Sequence, residues 1–201
     1  LADTCGRAGR RDDAALYLAI DNPVDAKFPL RPGDQWGQDD AVELAFRDPG
    51  AGADAPILIL RGYPSGHFGS SDESGAPVAA VQRAASGVEY QARIIDATRW
   101  TAEWRVPFAA LGLDPGRRPR LQFNLSVRKT ANDLWIEWQG TGGHTWEVER
   151  AGAAVDLARD ARLEAGRHLL VPPGVLGRPV DLAGQHHRAR FAANGEVPVG
   201  L

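Results

Sequence analysis

Six tryptophans in 201 residues are the side chains with the most chemical meaning in this sequence. Flat aromatic rings stack on the C–H faces of sugars, and planar hydrogen-bonding groups around them grip hydroxyls. Trp36 follows Pro32, Gly33 and Asp34, and Trp146 follows the glycine-rich stretch 140–143, so neither is placed by the alternation of a strand. Each reads either as part of a binding surface or as a buried loop anchor. Trp100, Trp104 and Trp138 share parity with apolar strand faces and read as core, whereas Trp135 has the opposite parity and reads as a surface ring.

Catalytic patterns are weaker. Ser65 stands one place too late in Gly62-Tyr63-Pro64-Ser65-Gly66 for a nucleophile elbow, and His67 reads as its loop neighbour rather than a triad partner. The glycine-rich stretch 62–77 lacks the Gly-Lys-Ser/Thr ending of a phosphate cradle. No His or Cys shows a zinc spacing, and His186-His187 falls in the C-terminal stretch. The pairs Asp12-Asp13 and Asp39-Asp40 are adjacent, so their carboxylates diverge along an extended backbone. A glycosidase dyad can come from distant positions, but nothing here specifies one. The expectation is a protein that is not an enzyme.

The elements that must carry these side chains have a period of two. Seven strands are predicted, over residues 16–20, 42–46, 57–61, 88–94, 100–106, 121–127 and 134–138. Most have one apolar and one polar face, as in antiparallel sheets shielded on one side. Two such sheets face to face make an all-β antiparallel β-sandwich of jelly-roll or immunoglobulin-like type. One short helical connector is predicted over 107–112, opened by Pro107 and closed by Gly112. Residues 62–77 read as a long Gly/Ser loop, functional or mobile. The division expected is a sandwich over 1–157 and a tail or linker over 158–201 that contributes at most one strand.

Bulk composition narrows the partners. The net charge of −3 gives no electrostatic case for nucleic acid or an anionic membrane surface. No stretch approaches the roughly 20 apolar residues of a membrane helix. Methionine is absent and the chain starts at Leu1, which reads as a processed or excised segment. The single cysteine, Cys5, has no internal disulfide partner, and the heavy use of Ala, Arg and Gly has a bacterial look.

Trp36-Gly-Gln-Asp-Asp-Ala-Val-Glu43-Leu-Ala-Phe resembles the tryptophan, acidic pair, Val-Glu-hydrophobic signature of carbohydrate-binding module family 9. Residues 16–21, 104–113, 122–128 and 138–146 resemble further segments of that family in the same order, so the likeness spans about 14–155. It implies a β-sandwich that shares a superfamily with DOMON-like domains and clamps a sugar, typically a reducing end, between two tryptophans. Carried across, the clamp is Trp36 and Trp146, Glu43 is the acidic hydrogen-bonder, and Arg61 is the arginine of the following strand. Ser126 stands where the family has an amide, Gly143 stands where it has an Asn, and one extra residue separates Trp36 from Glu43. In place of the family's opening strand there is a glycine- and arginine-rich stub before Leu16, and that strand's position is expected to be empty or filled from 169–180.

Structural calcium accompanies this fold and needs hard oxygen ligands. Asp21, Asp39 and Asp40 are the candidates, with Asn22 and Asp25 beside them, and solvated turns are the alternative reading. The resemblance implies a non-catalytic module of a secreted or surface glycan-active protein, extracellular or periplasmic, whose partners are a glycan and the neighbouring domains of its parent. The alternative is a structural or interaction sandwich without a sugar site. A related haem-binding sandwich ranks last, with only His67 or His144 as axial ligands in a chain without Met.

Overall fold

The computed structural model describes residues 6–11, 14–114, 120–138, 144–148 and 154–156. The strands are β1 (Gly6–Arg11), β2 (Ala15–Pro23), β3 (Ala41–Arg47), β4 (Ile57–Gly62), β5 (Phe68–Ser71), β6 (Glu89–Asp96), β7 (Arg99–Pro107), β8 (Arg120–Lys129), β9 (Leu134–Glu137) and β10 (Ala154–Asp156). One sheet has the order β1-β2-β7-β6. The other runs β10-β8-β3-β4-β5, with β9 also paired to β8. All these strand pairings are antiparallel. The β-sandwich expected from the alternation is the fold observed.

The core forms where the apolar faces of the two sheets meet. In the first sheet Leu16, Leu18 and Ile20 lie beside Val106, Trp104 and Ala102. In the second, Val42, Leu44 and Phe46 lie between Val127, Leu125 and Phe123 on one side and Gly62, Leu60 and Leu58 on the other. All of these side chains belong to one buried cluster, apart from Gly62, which has none. Gly62 is required by close approach: a Cβ there would stand 2.4 Å from Trp104 and 2.5 Å from Tyr90. Those two rings pack with centroids 4.3 Å apart, and the Tyr90 hydroxyl donates to the Tyr63 carbonyl at 2.8 Å. Trp100 and Trp104 are fully buried and Trp138 packs against the cluster, as parity predicts.

Four elements depart from the sequence expectation. Gly6–Arg11 is a paired edge strand whose register runs from Gly6 opposite Asp21 to Arg11 opposite Leu16, so the opening strand is present. Its composition hides it, because an edge strand needs backbone pairing and not an apolar stripe. The stretch 62–77 is not structureless: a tight turn at 63–67 returns the chain as β5, with Gly66 at φ 89°. An α-helix, α1 (Val78–Gly87), follows and buries Ala84 almost alone. Ala154–Asp156 extends the second sheet beyond β8. The predicted connector at 107–112 does turn helically, with Leu111 N–H donating to Pro107 and Phe108 carbonyls and Gly112 at φ 72°. The stretch 158–201, including 169–180 and His186-His187, lies outside the described residues, as do Cys5 and Gly143.

Candidate functional site

The face of β3, β4 and β8 that points away from the core carries a row of polar side chains. Glu43 on β3 is registered opposite Ser126 on β8 and Arg61 on β4, and Ser126 is opposite Glu137 on β9. Period-two alternation forces this: Glu43 sits between the core residues Val42 and Leu44, so its side chain leaves by the other face. Arg61, registered opposite Glu43, shares its face.

Arg61 is the hub. Its Nε donates to Glu43 Oε2 at 2.8 Å, while its two terminal nitrogens donate to Glu73 at 2.9 and 2.6 Å. A planar guanidinium presents its donors as a rigid fork, which suits a grip on two carboxylates at once. Trp36 lies over the same group, with the guanidinium carbon 3.7 Å from its ring centroid. Glu43 is 2% exposed and Arg61 7% exposed, so this is a largely desolvated ion pair. Burial raises the Glu43 pKa and outweighs the lowering by Arg61. Burial pulls the Arg61 pKa down, but the hydrogen bonds to Glu73 and Glu43 leave it raised. Glu73, much more open, has its pKa lowered by the hydrogen bonds from Arg61.

Trp36 is presented by a braced loop. Gln35 N–H donates to Asp39 Oδ2 at 2.9 Å, Asp39 N–H returns to the Gln35 carbonyl at 3.0 Å, and Gly37 takes φ 83°. Gly33 is needed beneath it, since a Cβ there would stand 2.2 Å from the Asp39 carboxylate. Next in the chain, Asp40 Oδ1 accepts from Thr130 N–H at 2.8 Å and from its hydroxyl at 2.9 Å. The ring that meets Trp36 is Trp135, 5.6 Å away and at 74°.

The segment that carries Trp146 reaches the same sheet face by a different route. Its Thr145 is fully buried, and the Thr145 and Ser126 hydroxyls are 2.6 Å apart. Thr145 also hydrogen-bonds Glu43. Asn124, two residues before Ser126, donates to the Thr145 carbonyl at 3.3 Å. Asn124 thus places a buried amide two residues from Ser126, where it anchors the Thr145 segment. Trp146 itself stacks with His144, 5.0 Å away and nearly parallel.

Sequence reasoning missed Glu73 and Thr145. Glu73 had only the signal of an acid in a polar loop, and Thr145 had none beyond its place beside Trp146. The calcium candidates do not converge. Asp21 is gripped through both carboxylate oxygens by Arg99 at 2.7 and 2.8 Å, and Asp39 and Asp40 brace loops. A cation already stands near Asp40: Lys129 lowers its pKa and donates to the Pro23 carbonyl at 2.7 Å, while burial raises that pKa more strongly. Among the described residues no group of three or more His, Cys, Asp or Glu is arranged to hold a metal. Ser65 and His67 form a turn, with His67 N–H donating to Ser65 Oγ at 3.3 Å and the imidazole stacked near Tyr63.

No family model and no curated protein sequence matches this chain. A solved structure does: a carbohydrate-binding module of family 9 from Caldicellulosiruptor kristjanssonii, in complex with cellotriose. It has 14% identity and a TM-score of 0.51, covering 83% of this chain and 82% of that one. The likeness shows the fold: the chain is an antiparallel β-sandwich like that of carbohydrate-binding module family 9.

Proposed function

We propose that this chain is a non-catalytic carbohydrate-binding module of a secreted or surface protein that acts on glycans, working outside the cytoplasm beside other domains of its parent. The observation that carries the reading is Trp36 laid over an arginine that is itself fixed by Glu43 and Glu73. Such a ring is held before any ligand arrives, so little ordering entropy is lost when a sugar stacks on it. Trp146 follows Thr145, which is anchored on the same sheet face, and this supports a clamp with Trp36 as the other jaw. Glu73 at the rim offers carboxylate acceptors to hydroxyls. The structural neighbour was solved with cellotriose, which makes β-glucan oligosaccharides the first ligands to try.

The test is a glycan array followed by calorimetry of wild type and Trp36→Ala. Removing the stacking ring is expected to weaken binding at least tenfold without lowering the unfolding midpoint by more than a surface-loop change does. A second reading, a structural or interaction sandwich, is favoured by the burial of Glu43 and Ser126, which leaves those two out of a ligand's reach. A well-folded wild type that binds no glycan on the array, while associating with its neighbouring domains, would establish that second reading.

A further inference from the structure

β9 brings Trp135 opposite Arg128 on β8, and two residues on it brings Glu137 opposite Ser126. Trp135 therefore stands one step, roughly 7 Å, along the same sheet face from the row of Ser126, Glu43 and Arg61. It is 39% exposed, an unusual position for so large an apolar ring. The ring is braced from the protein side. Arg128 lies over it at 5.1 Å and is itself held by Asp133 at 2.6 Å, repeating the arrangement of Arg61 over Trp36. Nothing in the packing of the core requires this duplication, since neither tryptophan belongs to the core cluster.

The angle between the two rings decides what the pair can hold. At 74° they are far from parallel. A pyranose is close to flat, so a single sugar stacks in parallel on only one of them. We propose that Trp135 is a second sugar-stacking ring, serving the unit adjacent to the one at Trp36, so that the ligand is an oligosaccharide whose successive rings are turned relative to each other. This rests on the sugar-binding reading above. It makes Trp135 a determinant of chain length, with Trp36 serving every length.

The test uses the tightest glycan-array ligand and its mono-, di- and trisaccharide forms, titrated calorimetrically into wild type, Trp135→Ala and Trp135→Phe. Trp135→Ala is expected to weaken the longest form roughly tenfold, the effect of one aromatic contact, and to leave the monosaccharide within about twofold of wild type. Trp135→Phe, which keeps a ring, is expected to restore most of the loss. Equal weakening at every length would overturn the proposal, showing that Trp135 only positions Trp36. Unchanged binding at every length would also overturn it while leaving the sugar-binding reading standing. A wild type that binds nothing on the array would sink both.

Discussion

Glu43 is tightly constrained by its surroundings. It is a carboxylate in a nearly dry layer, hydrogen-bonded by Arg61 and Thr145. Burial raises its pKa above the ordinary value of 4.5, so the native state holds this proton more tightly than the unfolded chain does. The sign follows from linkage: the contribution of Glu43 to stability is fully present below about 4.5 and is lost as pH rises through the higher native value. Glu73 acts in the opposite sense, since its lowered pKa gives stability that is lost as pH falls below 4.5. Glu43→Gln is therefore expected to gain stability relative to wild type as pH is raised from about 4 to about 7. Urea unfolding across that range reads it directly, and a difference that is flat or shrinks with pH would refute the dominance of burial.

Element-scale behaviour turns on how β4 lies against β7. Gly62 ends β4 where the rings of Tyr90 and Trp104 come within 2.6 Å of where a Cβ would be, and both rings are held in the core. Neither can retreat without opening the sandwich, because Trp104 also contacts Phe68 across a 5.8 Å centroid separation. Gly62→Ala is expected to cost about 1–3 kcal/mol by overpacking, measured as a drop in the urea midpoint at unchanged m-value. Gly69 provides the control, because a methyl group there would meet nothing within 4 Å. Gly69→Ala, on the β5 side of the same turn, should cost far less. The same elements show what alternation conveys. Strands such as β3 and β8, apolar at every second residue, are legible because one face enters the apolar core and dictates the pattern. β1 and β5 are not, because backbone pairing holds them and their sequences carry no stripe.

At the scale of the whole molecule, stability comes from the face-to-face packing of two sheets. Asp21 is neutralised by Arg99, and Lys129 supplies positive charge beside Asp40. The unfolding midpoint is therefore expected to be the same in excess EDTA and in millimolar calcium. A calcium-dependent rise would show a site that binds the native state selectively. No helix among the described residues is long and apolar enough to cross a membrane. The shared fold at 14% identity fits this view, since packed layers tolerate many sequences that keep the pattern, whereas a site depends on particular side chains.

The sequence by itself determined the sandwich, the inward-facing Trp100 and Trp104, and the exit of Glu43 onto the opposite sheet face. Each follows from local alternation, which fixes a side chain's direction as soon as a strand exists. Only the tertiary structure decided who meets whom. It put Glu73 on Arg61, Thr145 on Ser126, Trp135 against Trp36, and Arg99 on Asp21. These pairs join residues far apart in the chain, 78 positions for Arg99 and Asp21, or sit on loops, and no period in a sequence reports a contact made by folding. Of the six tryptophans, the sequence sorted four into core or surface and left Trp36 and Trp146 open. The ring that joins Trp36 was decided only by the pairing of β9 with β8, and its bracing by Arg61 on β4.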